Sequence, residues 1–185
     1  MTRSLVPLAE KDLVRLGNLA AADRSAFFAR NPETGSLYAS RLFAVALCQG
    51  GALHYLDGKN GIKDLDVWSF YTESPVRMFP PRRRAKVDFG SPKFGVTPDS
   101  PDFVGRRVDL LGRSIPKADT ADPVGTLRRY LAEKKTESAR LLALKAVILI
   151  EPSHLLGTVV WPPKRRLTLP SSGPDFGGPV ISNVE

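Results

Sequence analysis

Apolar residues recur at helical spacing from Pro7 to Arg30, with Leu8, Leu13, Leu16, Leu19, Ala20, Phe27 and Phe28 separated by charged positions. That spacing predicts an amphipathic helix. Residues 30–38 contain Pro32 and Gly35 and read as a loop. Leu42 to Cys48 is a continuous apolar run closed by Gly50 and Gly51, the pattern of a buried strand that ends in a tight turn, with a helix end as the alternative. One or two helical turns are expected over 52–56, and "DGKNG" at 57–61 is a turn. Residues 62–71 alternate and are rich in β-branched and aromatic side chains, which predicts a strand. Residues 72–104 read as loop, with a short strand within 86–90, and 106–115 reads as a further strand, apolar at Val108, Leu110 and Leu111 and ended by Gly112.

Asp122 before Pro123 is a helix start, since the carboxylate caps free N–H groups and proline suits the first helical position. A second helix is expected from Thr136 to Ile150, with Ala139, Leu142, Ala143, Ala146, Val147 and Ile150 as its stripe and Leu141, Leu144 and Ile148 widening it. "LLGTVVWPP" suggests a short strand, and from Pro162 the chain is rich in Pro, Gly and Ser. The elements predict an α+β fold: a small mixed β-sheet flanked by helices, a helical C-terminal part at 122–150, one domain over 1–161, and an extended tail over 162–185.

Composition narrows the function. A net charge of +8 favours polyanionic partners such as nucleic acid or nucleotide phosphates. The single cysteine, Cys48, excludes an internal disulfide, and with His54 and His154 the only histidines an ordinary zinc-finger ligand set is missing. "LLALKAVILI" is interrupted by Lys145 and too short to span a bilayer, and no signal-type apolar core precedes Glu10. A cytoplasmic location with no membrane partner is expected.

The chemistry concentrates in 50–68, "GGALHYLDGKNGIKDLDVW". Asp64 and Asp66 stand two apart in a predicted strand, so their carboxylates share a face and repel. A divalent cation resolves that conflict, because Mg²⁺ takes hard oxygen ligands and two carboxylates on one face supply them. A third carboxylate on a neighbouring strand would complete a two-metal clamp for phosphoryl or nucleotidyl transfer. The alternative is the solvated face of an edge strand. Lys59 and Lys63 bracket the loop and are candidates for a γ-phosphate contact. Arg82, Arg83, Arg84 and Lys86 form a basic run able to grip a triphosphate or RNA. His54 reads as a core or surface histidine rather than a base.

The order of strand, Gly50-Gly51, short connection, and Asp64-Leu65-Asp66-Val67 resembles the signature of the nucleotidyltransferase superfamily, the DNA polymerase beta-like fold. The resemblance spans about residues 42–111. It departs in carrying Gly51 where serine is commoner and in its extra Gly-Lys-Asn-Gly turn. It implies a nucleotidyltransferase-type sheet, phosphate contacts at Gly50 and Gly51, and Mg²⁺ or Mn²⁺ held by Asp64, Asp66 and a third acid on a later strand. Asp109, between Val108 and Leu110, has the better strand context for that role, and Asp88 is the other candidate. Arg106 and Arg107 precede Asp109 and would neutralise it or touch phosphate. The implied substrate is a nucleoside triphosphate, ATP among them. The acceptor would be tRNA or other RNA, a protein as in toxin-type members of toxin–antitoxin pairs, or a small molecule. A non-catalytic nucleotide- or RNA-binding module on the same fold is the alternative.

Overall fold

The computed structural model describes residues 5–80, 85–87 and 106–162. Asp88, Arg82 to Arg84 and the tail from 163 lie outside them. In chain order the elements are α1 (Glu10–Arg30), α2 (Pro32–Tyr38), β1 (Leu42–Cys48), α3 (Gln49–Asp57), β2 (Asp64–Thr72), β3 (Ala85–Val87), β4 (Arg107–Ile115), α4 (Pro123–Glu133), α5 (Glu137–Leu142), β5 (Ala146–Glu151), a 3-10 turn (Ser153–Leu155) and β6 (Val159–Trp161). The strands form one mixed sheet ordered β3-β4-β2-β1-β5-β6. β2 and β4 run parallel, and the other pairs are antiparallel.

Each face of the sheet carries its own core. Val45, Leu47, Leu65, Val67, Val108, Leu110, Ala146, Ile148 and Ile150 pack with Leu13 and Leu16 of α1 and Ala52 of α3. Ala46, Cys48, Trp68, Phe70, Val147 and Leu149 pack on the other face with Leu127, Leu131, Ala139 and Leu142 of α4 and α5. A third cluster joins Tyr38, Tyr71 and Phe79, with Phe27 and Phe28 of α1 against it.

Two segments differ from the sequence reading. Residues 30–38 contain a helix, not a loop. Pro32 sits in the first turn of α2, where its missing N–H has no intrahelical partner to lose. Gly35 lets α2 approach α1, since a Cβ there would lie 3.1 Å from the Phe28 Cβ. The larger correction is the second C-terminal helix. α5 stops at Leu142, and Ala146–Glu151 is a strand buried on both faces between β1 and β6. Ala146, Ile148 and Ile150 enter one core while Val147 and Leu149 enter the other. A run apolar at every position satisfies the helical and the extended period alike. Its β-branched content and the seat beside β1 settle the matter. Leu141 and Leu144, expected to widen a buried stripe, are 47% and 59% exposed. The 122–150 stretch is therefore helix, helix and strand rather than a helical part.

The start of α4 is as expected, with the Asp122 side chain accepting from the Gly125 N–H at 2.8 Å. So is the turn after α3, where Gly58 takes a left-handed conformation at φ 63°. The slight burial of Asp57 pushes its carboxyl up, but hydrogen bonds from Lys59 and Asn60 outweigh it and hold the group below the ordinary carboxylate range. His54 is a core residue: its ring lies 3.0 Å from the Val6 carbonyl through Nε2, and Nδ1 accepts from the Gly61 N–H at 3.2 Å. Those two bonds assign the proton to Nε2 and tie the turn to the N-terminal segment.

Candidate functional site

Register builds the site. β2 and β4 pair so that Asp64 lies beside Arg107 and Asp66 beside Asp109, while Cys48 at the end of β1 lies beside Asp66. Neighbours across paired strands share a face and stand about 4.8 Å apart. The four charged side chains therefore occupy one patch, on the face that α4 and α5 cover, at the end of the sheet where β1 finishes and β2 and β4 begin. Of the two candidates for the third acid, Asp109 is thus beside the pair, while Asp88 lies outside the described residues.

The three acids are not equivalent. Asp109 has no exposed surface, and the Arg107 Nη2 donates to its Oδ2 at 2.7 Å. The same nitrogen is 3.6 Å from the Asp64 Oδ2, and Arg107 and Asp64 keep 22% and 29% of their side-chain exposure. A buried carboxylate is costly without a nearby counter-charge, and Arg107 supplies one, as its position before Asp109 suggested. Burial pushes the Cys48 thiol well above its usual range, and the negative charge of Asp66 raises it further. Cys48 accordingly stays a neutral thiol. A disulfide reagent should modify it only as fast as the protein opens, and stopped-flow absorbance with and without urea checks this. Rapid modification of the folded protein would mean that Cys48 is accessible.

Asp64 and Asp66 open onto a cavity of about 700 Å³, within the range typical of small-molecule sites. Its walls differ in character. Trp68, Leu111, Leu141 and Leu142 form an apolar side, with Glu137 and Ser138 of α5 beside them. Lys63, Lys145, Arg113, Gln49 and Gly50 line the cavity along with the two acids, and Arg113 lies beside Phe70, beyond the Trp68–Leu111 pair from Asp66. Arg113 continues the face of Asp109 four residues along β4, and Lys145 is contributed by the turn before β5.

The strand-to-helix junction makes the cavity floor. Gln49 has φ 59°, a left-handed conformation for a side chain that prefers others, at a cost of about 1–3 kcal/mol. Its Nε2 donates to the Leu141 carbonyl at 2.6 Å and so ties the junction to α5. Gly50 faces the cavity with room around it, and the nearest atom to an added Cβ would be the Lys145 Nζ at 4.0 Å. Gly51 has a packing role. An added Cβ would meet Leu47 Cδ1 and Leu65 Cδ2 at 3.0 Å, and Gly51 is absent from the cavity lining. The first N–H groups of a helix lack intrahelical acceptors and, with the helix dipole, favour an anion. α3 begins here.

Of the predicted residues, Gly50, Lys63, Asp64 and Asp66 meet at the cavity, and Asp109 lies beside them behind Arg107. Lys59 is exposed in the turn after α3 and does not line the cavity. Sequence reasoning missed Gln49, Trp68, Arg113 and Lys145. Two-residue periodicity from Asp66 and Asp109 reaches Trp68, Leu111 and Arg113, a signal that was present in the sequence. Nothing local marks Lys145, whose place depends on β5 being a strand.

The donor set fits a hard divalent cation in part. Asp64 and Asp66 line the cavity, whereas Asp109 does not, and Arg107 engages both Asp109 and Asp64. Among the described residues no group of three His, Cys, Asp or Glu side chains is arranged to hold a metal ion. No helix among them is long and apolar enough to cross a membrane.

The chain is an α+β protein with a mixed sheet and a charged cavity on one face. Compared with protein-family models, curated proteins and solved structures, it matches none of them.

Proposed function

We propose that this chain is a nucleotidyltransferase of the DNA polymerase beta-like type, which moves a nucleoside monophosphate from a nucleoside triphosphate to an acceptor. The observation that carries the proposal is the register: Asp66 beside Asp109, with Asp64 on the same face and Gly50 one element away. The order of strand, glycine pair, helix and acid-bearing strand supports the same reading. In it, the α3 N-terminus and the open face of Gly50 receive phosphate, with Lys63 and Lys145 as counter-charges. Trp68 and the neighbouring leucines give the nucleobase an apolar wall. Asp64 and Asp66, with Asp109 behind them, would hold Mg²⁺ or Mn²⁺. The metal supplies charge stabilisation for the attacking and leaving oxygens. An acceptor oxygen bonds to the α-phosphorus, the bond to the bridging oxygen breaks, pyrophosphate leaves with the electron pair, and the acceptor proton passes to water.

The net charge of +8 supports RNA, tRNA among them, as acceptor. An acceptor protein, in the manner of a toxin, or a small molecule remains within the same chemistry. The engagement of Asp109 by Arg107 favours a second reading, a module that binds nucleotide or RNA without catalysis. One experiment separates them. The purified protein is incubated with each α-labelled nucleoside triphosphate, Mg²⁺ or Mn²⁺ and total RNA, beside Asp64→Ala/Asp66→Ala. Label transferred to RNA or protein by the wild type and lost in the variant is the expected result. Nucleotide binding without transfer would favour the module, and neither binding nor transfer would overturn both.

A further inference from the structure

Arg107 occupies the ground a metal would need. Its Nη2 contacts the carboxylates of Asp109 and Asp64, at 2.7 and 3.6 Å, and Asp109 behind it has no exposed surface. The seat is not saturated. The Arg107 Nε is also buried and has no hydrogen-bond partner among the described residues, although a guanidinium has five N–H groups to place. A buried Nε–H without an acceptor lowers the cost of leaving. Resting on the metal reading of this site, we infer that Arg107 and a divalent cation compete for the same carboxylates. With Arg107 seated, Asp109 is covered and the sheet offers the cavity only Asp64 and Asp66. With Arg107 withdrawn, Asp109 adds a third carboxylate from the neighbouring strand.

Competition of this kind makes metal affinity depend on where the guanidinium goes. A divalent ion brings two charges to a patch of three carboxylates, yet must displace a charge already at contact distance. The site therefore binds metal weakly on its own. Arg107 is a positioning residue here, acting through the access it controls to Asp109 and not through contact with substrate.

The test uses the full chain, stripped of metal by chelation, and Mn²⁺ alone as probe, read by calorimetry and by the electron paramagnetic resonance of free Mn²⁺. Arg107→Gln should bind Mn²⁺ at least about tenfold more tightly than wild type, a change of about 1.4 kcal/mol. Arg107→Lys, which keeps a cation but not the fork, should fall between them. Equal or weaker binding by Arg107→Gln, where the wild type binds, would overturn the competition and leave the metal reading standing. No Mn²⁺ binding by either protein would overturn the metal reading along with it. Because Arg107→Gln leaves Asp109 without this partner, melting temperatures with and without Mn²⁺ accompany the titration. Mn²⁺ should raise the variant's melting temperature by more degrees than the wild type's. A variant that stays unfolded in millimolar Mn²⁺ would count against the proposal, since the cation would then be no substitute for the guanidinium.

Discussion

Asp66→Asn should lose nucleotide transfer by on the order of 10³-fold while remaining folded, because metal-supplied charge stabilisation is worth several kcal/mol and each 1.36 kcal/mol is tenfold in rate. The substitution preserves volume and a carbonyl oxygen but removes a charge. In the folded protein that charge lies beside Asp109 on one strand and Cys48 on the other. It faces the cavity with Asp64. Like charges across paired strands are unfavourable, which offsets part of what the other contacts of Asp66 contribute, so stability should stay within about 1 kcal/mol of wild type. A large loss of activity with a small change in stability is the mark of a functional carboxylate. Label transfer and a thermal melt, run on the same preparation, check both. A variant that transfers label at the wild-type rate would overturn the role of Asp66. One that melts far below the wild type would make Asp66 a structural residue.

Gly112→Ala should unfold the protein at a markedly lower temperature without touching the cavity. Gly112 lies in the middle of β4, and Phe79 lies against it. An added Cβ would come within 2.9 Å of the Phe79 Cζ and closer still to its Cε1. The ring has little freedom to yield. It stacks on Tyr71 at a centroid distance of 4.3 Å and meets the edge of Tyr38 at 5.1 Å, while the Phe79 N–H donates to the Ser114 hydroxyl at 3.1 Å. Overpacking of this kind costs about 2–3 kcal/mol, and for a chain of this size that lowers the melting temperature by about 5–10 °C. Differential scanning calorimetry reads it directly. Gly50→Ala is the comparison, since only the Lys145 Nζ at 4.0 Å approaches its added Cβ. Equal melting temperatures for the two variants would mean that Phe79 moves aside.

Local chemistry explains which parts of the fold were legible. Asp122 with Pro123 marks a helix start through a free N–H and a fixed φ, and the cap bond forms as that chemistry requires. Alternation in 64–72 and 107–115 marks strands because each has one face of different polarity near its start, with Asp64, Asp66 and Asp109 opposite Leu65, Val67, Val108 and Leu110. The segment 146–151 carries no such contrast. Buried on both faces, it has no polar side to reveal its period, and its pairing with β1 and β6 adds what its β-branched content alone does not decide. The helix at 32–38 is too short for periodicity to show, and its anchor is Tyr38 in a cluster assembled from distant segments.

The same division holds for the candidate site. Sequence alone determined that Asp64 and Asp66 share a face, that the glycine pair lies one short element away, and that Asp109 sits in a strand beside a basic residue. These follow from the two-residue repeat of extended backbone and from side-chain chemistry, which act over a few positions. Only the tertiary structure decided that β4 pairs parallel with β2 in the register that sets Asp109 against Asp66. It alone brought Lys145 and α5 to the face that carries Trp68 and Arg113, and seated Arg107 between Asp64 and Asp109. Strand order and register depend on how both faces of the whole sheet are buried, and no short stretch of sequence carries that information.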